Sequence, residues 1–279
     1  MAETTLAGHP SSIAFIGGGN MASAIVGGLL RAGRDPASIL VVDPGEAQRT
    51  ALQAEHGVRT LAKADATLAG AAMVVWAVKP QIFQQAAAPC AAHVSRALQL
   101  SVMAGIRTDA IARATGSQAV VRAMPNTPAL IGQGMSGLFA RDGVSAAQRS
   151  AVEQVLAPTG QLLWVAEERA LDAVTALSGS GPAYVFYVLE AMMAAAEAMG
   201  LSAEEGKALA LGTFAGATAL ARQSPEPPSV LRERVTSKGG TTYAALTSLE
   251  EDGVKAAFVK ALQAAQRRAA ELGDEFGAA

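Results

Sequence analysis

Ile13-Ala14-Phe15-Ile16-Gly17-Gly18-Gly19-Asn20-Met21-Ala22 decides the fold: a short apolar run, a glycine-rich turn, and the opening of a helix. The turn has the form G-x-G-x-x-A. Gly17 permits the tight turn, Gly19 lets the backbone approach a pyrophosphate, and Ala22 keeps helix and strand close. The intervening Gly18, Asn20 and Met21 lie where free N–H groups and the helix dipole favour an anion. Standing alone, three glycines equally describe a plain strand-to-helix turn. The balance moves with Asp43, which ends the next apolar run, Ile39–Val42. An acid at that place, about 20 residues past the glycines, accepts hydrogen bonds from an adenosine ribose. It also repels a ribose 2′-phosphate unless a base compensates. Arg49 is either that base or a solvated helix charge, so NADH and NADPH both stay open.

Outward from this stretch, apolar runs alternate with helix-length segments. Runs at 73–78, 98–103 and 119–124 lack polar alternation, which suits strands covered on both faces. Two more runs, 136–140 and 161–165, flank Ser145-Ala146-Ala147-Gln148, a capping-box spacing that opens another helix. The pattern predicts a parallel, doubly wound α/β sheet. Past 165 the strand signal stops, and Ala-rich helical stretches are expected at 168–177, 182–199, 203–222 and 254–272. Ser202 to Glu205 forms a second capping box, and Pro227-Pro228 breaks the helical run. Two domains are expected, a dinucleotide-binding domain over 1–165 and a helical domain over 166–279. The first ten residues, with Gly8 and Pro10, read as a loose arm.

Composition narrows the class. With 22 basic and 24 acidic side chains, the chain has no electrostatic footprint for nucleic acid or an anionic membrane. Cys90 is the single cysteine, and the N-terminal residues lack the basic start and apolar run of a secretory signal, so a cytoplasmic location is expected. A hydrophobic share of 51% calls for a large core or a partner surface, hence a homodimer, with further assembly of dimers left open. The stretch 182–199 is nearly all apolar, but Glu190 would cost roughly 3 kcal/mol at a bilayer centre. A buried soluble helix is the better reading, and no membrane is predicted. His9, His56 and His93 are scattered without zinc spacing, so no metal is expected.

Further motifs fall where ligands of open α/β sheets gather, at the carboxyl ends of strands. Ala77-Val78-Lys79-Pro80 ends one run, and reads either as part of a ligand edge or as a helix start with a surface lysine. Ala104-Gly105 follows the next and is either a ligand contact or a turn. Met124-Pro125-Asn126-Thr127-Pro128 is a stiff loop that suits holding Asn126 and Thr127 against a nicotinamide, or a structural turn. In the helical half, Ser237-Lys238-Gly239-Gly240-Thr241-Thr242 supplies hydroxyls and backbone donors before a helix beginning near Tyr243. It is either a carboxylate site or a capped helix start.

Taken in order, Gly17 to Ala22, Ala77 to Pro80, Met124 to Pro128, Leu177-Ser178-Gly179-Ser180-Gly181-Pro182 and Ser237 to Thr242 resemble the pyrroline-5-carboxylate reductases, from Ile13 to about Leu272. The resemblance implies a Rossmann domain, an all-helical dimerisation domain, NAD(P)H, and reduction of a cyclic imino acid to L-proline. It gives Thr242 the role of hydrogen-bond donor to the ring nitrogen. Ser237, Gly239, Gly240 and Thr241 become the carboxylate cradle, and Glu168 a polar neighbour of the substrate pocket. By its position alone, Glu168 reads as an acid at a helix N-terminus. Two departures stand out: Lys238 where many members have proline, and Ala64 where an asparagine often meets the adenosine. Reduction of a different cyclic imino acid and a non-catalytic dinucleotide-binding scaffold are the competing readings; the hydroxyl-rich loop ending in Thr242 argues against the scaffold.

Overall fold

The computed structural model describes residues 12–277. The expected N-terminal arm and His9 lie outside them. Eight strands form one sheet: β1 (Ile13–Ile16), β2 (Ile39–Val42), β3 (Arg59–Leu61), β4 (Met73–Trp76), β5 (Leu98–Ser101), β6 (Val120–Met124), β7 (Gly134–Ala140) and β8 (Gly160–Trp164). Their order is β3-β2-β1-β4-β5-β6-β7-β8. The helices that join them are α1 (Asn20–Arg31), α2 (Glu46–His56), α3 (Phe83–Ala87), α4 (Ala91–Val94), α5 (Thr108–Thr115) and α6 (Ala146–Leu156).

The apolar runs have no polar alternation because both faces of the sheet are covered. On β1, Ile13 and Phe15 enter one core with Ile25, Val26 and Val155, while Ala14 and Ile16 enter the other with Trp76, Phe83 and Ile111. The polar atoms that this burial captures are paired. Trp76 Nε1 donates to Gln99 Oε1 at 2.9 Å, and Gln99 Nε2 donates to the carbonyls of Val94 and Ala97 at 2.8 Å.

The wholly parallel expectation needs one correction, because β7 runs antiparallel to β6. Only a short 3-10 turn, Thr127–Ile131, links the two strands, so the chain reverses onto its neighbour; a parallel pair needs a longer crossover. The edge strand β3 escapes sequence patterning, since it has three residues of which only Leu61 is strongly apolar.

After β8 come α7 (Ala170–Val174), α8 (Gly181–Ala198), α9 (Ala203–Gln223), α10 (Pro228–Arg234), α11 (Thr241–Glu251) and α12 (Val254–Gly277). The helix expected over 168–177 is interrupted: α7 passes into a π turn, Thr175–Gly179, closed by the Ser180 N–H on the Thr175 carbonyl at 2.8 Å. Pro182 is the cause we assign. Lacking an N–H, it cannot serve the Ser178 carbonyl four residues back, and the helix rewinds there. The proline pair at 227–228 follows the end of α9 at Gln223 and starts α10, with Pro228 at a first-turn position where its missing N–H costs nothing.

By contact the described chain divides into two compact units. One runs to Ser180 and is rejoined from Ala265 onward; the other is Gly181–Ala264. In the second unit α8 and α9 pack closely, since a Cβ on Gly206 would lie 2.8 Å from the Ala196 Cβ. Ser202 and Glu205 form the expected capping box on α9. Much of this unit's apolar surface is uncovered: Phe186, Tyr187, Leu209, Leu220 and Val259 are exposed, and on α8 only Leu189 and Ala196 are buried. Among the described residues no helix is long and apolar enough to cross a membrane. None of the described His, Cys, Asp or Glu side chains cluster in a group able to hold a metal ion.

Candidate functional site

The glycine turn is built by close approach. Gly17 has φ +94°, and a Cβ there would sit 2.7 Å from the Ala77 carbonyl oxygen, so the turn is pressed onto the end of β4. A Cβ on Gly18 would meet Leu52 of α2 at 2.8 Å, whereas one on Gly19 would meet nothing within 4 Å. Gly17 and Gly18 are buried, and Gly19 and Asn20 face open space. Helix α1 begins there with no capping side chain and no acid in its first turn. Its leading N–H groups, including those of Asn20 and Met21, therefore lack protein acceptors, and Ala22 is buried behind them. That is a fit for a pyrophosphate.

Asp43 is more engaged than its sequence position suggests. Its Oδ2 accepts the Gly18 N–H at 2.8 Å and its Oδ1 accepts the Gly45 N–H at 2.8 Å. Gly18 thus shapes the turn without offering its own N–H outward. Arg49, from the first turn of α2, donates through Nη1 to the carbonyls of Asp43 and Pro44, both at 2.9 Å.

The other candidates gather at one sheet edge, because β1, β4, β5 and β6 are parallel neighbours and their carboxyl ends lie side by side. Ala77 to Pro80 follows β4, with Val78 packed on the core, Lys79 exposed and Pro80 opening a short 3-10 turn. Ala104 and Gly105 follow β5. Gly105 has φ +75°, and a Cβ there would lie 2.9 Å from the Phe276 ring, so this glycine also answers to the end of α12. Asn126 follows β6 and is wholly occupied. Its Oδ1 accepts the Met135 N–H at 2.9 Å, and its Nδ2 donates to the Ser178 carbonyl at 3.2 Å, the very oxygen that Pro182 leaves unserved. Asn126 thus ties the post-β6 loop to the π turn, while Thr127 beside it is exposed.

Glu168 lies in a part-buried network that its position in the sequence does not reveal. Its Oε1 accepts from the Thr108 N–H and from Arg122 Nη1, both at 2.7 Å, and its Oε2 accepts from Thr108 Oγ1 at 2.7 Å. It therefore does stand at a helix N-terminus, but that of α5 rather than of its own segment. Arg122 is the signal that was available: a guanidinium in the apolar run of a central strand demands a buried acceptor. Nearby, burial pushes the Asp172 carboxyl up, against the opposing pull of Arg107 and Arg122.

In the helical unit, Ser237 to Gly240 forms a tight turn closed by the Gly240 N–H on the Ser237 carbonyl at 3.0 Å. Gly239 has φ +76°, which calls for glycine there, and a Cβ on Gly240 would lie 2.7 Å from Ser237 Oγ. Helix α11 starts at Thr241 with no side-chain cap and no acid in its first turn. The hydroxyls of Thr236 and Thr247 turn back to the carbonyls of Arg232 and Tyr243. Among the described residues, the hydroxyl of Thr242, half-buried in the uncapped first turn, has no hydrogen-bond partner, and neither has that of Thr241 beside it.

A glycine turn on an uncapped helix at the ligand edge of a mostly parallel sheet, with a second uncapped helix start in a helical unit, defines a dinucleotide-dependent oxidoreductase architecture. Comparison with known proteins narrows it. Residues 12–105 match the family model described as NADP oxidoreductase coenzyme F420-dependent, and residues 168–272 match pyrroline-5-carboxylate reductase dimerisation. The chain belongs to the pyrroline-5-carboxylate reductase family: it is 44% identical to the Pseudomonas aeruginosa pyrroline-5-carboxylate reductase over 95% of its own length and 98% of that protein's. The solved structure of the Coxiella burnetii pyrroline-5-carboxylate reductase superposes with a TM-score of 0.88 at 38% identity, covering 95% of this chain and 99% of that one. The Plasmodium falciparum pyrroline carboxylate reductase, solved with NADP bound, gives 0.84 at 27% identity, covering 94% and 98%.

Proposed function

We propose that this chain reduces 1-pyrroline-5-carboxylate to L-proline. When bound, NADPH or NADH would supply the hydride, which adds to the carbon of the protonated ring C=N bond; the nitrogen thereby regains its lone pair and takes a further proton from solvent. The protonated imine is already electrophilic, so the chain's task is alignment and charge complementarity rather than strong acid catalysis. The uncapped start of α1, the Ala77–Pro80 and Ala104-Gly105 segments and the loop of Asn126 and Thr127 hold and orient the dinucleotide. Asn126 does so as a positioning residue, through its bonds to Met135 and Ser178. In the helical unit, the backbone N–H groups of Gly239 and Thr241, with the Ser237 hydroxyl, receive the carboxylate, while Gly240 spends its N–H on the Ser237 carbonyl and holds the cradle closed. Thr242 donates its hydroxyl to the ring nitrogen as hydride transfer returns a lone pair to that atom. Glu168 acts through Arg122 and Thr108, fixing the start of α5, instead of touching the substrate.

The single observation that carries this reading is the Thr242 hydroxyl, without a partner among the described residues at an uncapped helix start while Thr236 and Thr247 spend theirs on carbonyls. The enzyme is a homodimer in this proposal. The match of residues 168–272 to a dimerisation model and the uncovered Phe186, Tyr187 and Leu209 support it, and light scattering distinguishes a dimer from a larger assembly of dimers. Its expected place is the cytoplasm.

The test of function follows NADPH and NADH oxidation with the five-membered and the six-membered imino acid. Reduction of the five-membered ring supports the proposal. Turnover of the six-membered ring alone replaces the substrate, and no turnover of either ring leaves a scaffold.

A further inference from the structure

We propose that Arg49 is the residue by which the nucleotide site takes a ribose 2′-phosphate, and that Asp43 beside it serves to latch the glycine turn. This rests on the reading that the turn holds a dinucleotide. The residues that close the second strand flank the ribose 2′ position in such folds. There, an acid ordinarily accepts the 2′-hydroxyl and turns a 2′-phosphate away, and Asp43 taken alone looks like that acid. Its geometry says otherwise. Each carboxylate oxygen accepts a backbone N–H, one from Gly18 and one from Gly45, so half of its acceptor capacity is turned into the loop that it stabilises.

Arg49 occupies the complementary position. A single nitrogen, Nη1, makes both of its bonds, to the Asp43 and Pro44 carbonyls at 2.9 Å, and this fixes the guanidinium plane against the loop as it leaves β2. Among the described residues no carboxylate stands within ion-pair distance of it. Its Nη2 and Nε donors are therefore held by the loop yet not consumed by it. A guanidinium with fixed orientation and donors to spare is the group that recognises a phosphate through parallel N–H···O bonds. The same cation offsets the charge of Asp43 for a ligand that carries two further negative charges at that place. Loop and base thus act together: the carbonyls that Asp43 and Pro44 present to Arg49 set where its free donors point.

The test uses binding to the full-length protein, read by calorimetry. ADP-ribose and 2′-phospho-ADP-ribose are the probes, with wild type, Arg49→Gln and Arg49→Lys. Wild type is expected to bind the phosphorylated probe more tightly, with a preference that falls as salt is added. Arg49→Gln is expected to weaken the phosphorylated probe roughly 10- to 100-fold, the scale of charge-assisted hydrogen bonds, while ADP-ribose changes less than about threefold. Arg49→Lys should retain the charge but lose the fork, and fall between the two. Equal weakening of both probes by Arg49→Gln would make the residue a loop brace only, and would overturn the proposal, as would an unchanged ratio. If wild type bound neither probe, the dinucleotide reading would fall together with it.

Discussion

Replacing Glu168 with alanine is expected to destabilise the first unit by about 4 kcal/mol, and the structure shows where that comes from. The Arg122 side chain is 6% exposed and that of Glu168 is 20% exposed, so the variant strands a nearly dehydrated guanidinium. Removing one partner of a buried ion pair costs about 3–5 kcal/mol, and the partial exposure of Glu168 argues for the lower end. The Thr108 N–H at the start of α5 also loses its acceptor, an effect of about 1 kcal/mol for a helix cap. The Arg122 Nε has no hydrogen-bond partner even in the intact protein, and the nearby Asp172 carboxylate, itself disfavoured by burial, compensates for Glu168 only in part. Glu168→Gln keeps an acceptor for Thr108 but loses the charge, and about half the effect is expected. The assay is urea unfolding followed by far-ultraviolet circular dichroism, with the Arg122→Met/Glu168→Leu double variant alongside. The double variant should be more stable than Glu168→Ala, since it leaves no buried charge unpaired. A Glu168→Ala protein within about 1 kcal/mol of wild type would refute the reasoning. Unchanged stability with a raised KM for the imino acid would put Glu168 back against the substrate.

Three further outcomes follow from particular contacts. Burial raises the Asp172 pKa in the folded state, so the native protein binds that proton more tightly than the unfolded chain does. The resulting cost is fully present above the raised pKa and fades as pH falls through it towards the ordinary carboxylate value. Asp172→Asn should therefore raise the melting temperature at pH 7 with a gain that shrinks towards pH 4, and a gain that grows on acidification would contradict this. Gly17→Ala drives a Cβ to 2.7 Å from the Ala77 carbonyl at a φ of +94°, and should cost about 1–3 kcal/mol of stability together with dinucleotide affinity; calorimetry and thermal melts check both. Tyr187→Glu places a charge on the uncovered face of α8 and should yield monomers by light scattering, whereas an unchanged assembly would remove that face from the interface.

How much of this was legible depended on how local the cause was. The β1 run and its glycine turn were readable because the constraint on each glycine lies within a few residues, and both capping boxes sit within a four-residue window. Strand direction was less accessible. The residues of β7 alternate little whichever way they run, and only the shortness of the turn after Asn126 makes the pair antiparallel. The π turn depends on Pro182 together with Asn126, residues far apart in sequence whose joint effect appears only when the Ser178 carbonyl is placed. Glu168 illustrates the same limit, since position alone allowed a helix N-terminus, and the actual partners, Thr108 and Arg122, come from α5 and β6. Asp43 was found by spacing. That its oxygens are committed to Gly18 and Gly45 is a matter of loop geometry, which spacing does not convey.

The hydrogen bond from Thr242 to the substrate nitrogen is read out by kcat of the Thr242→Val enzyme with 1-pyrroline-5-carboxylate. Valine nearly preserves the shape and removes the donor at the uncapped start of α11. kcat should fall roughly 10- to 1,000-fold, the range for one well-placed donor, with dinucleotide Kd and melting temperature little changed. A Thr242→Val enzyme that turns over at the wild-type rate would contradict it and return Thr242 to an ordinary first-turn residue of its helix.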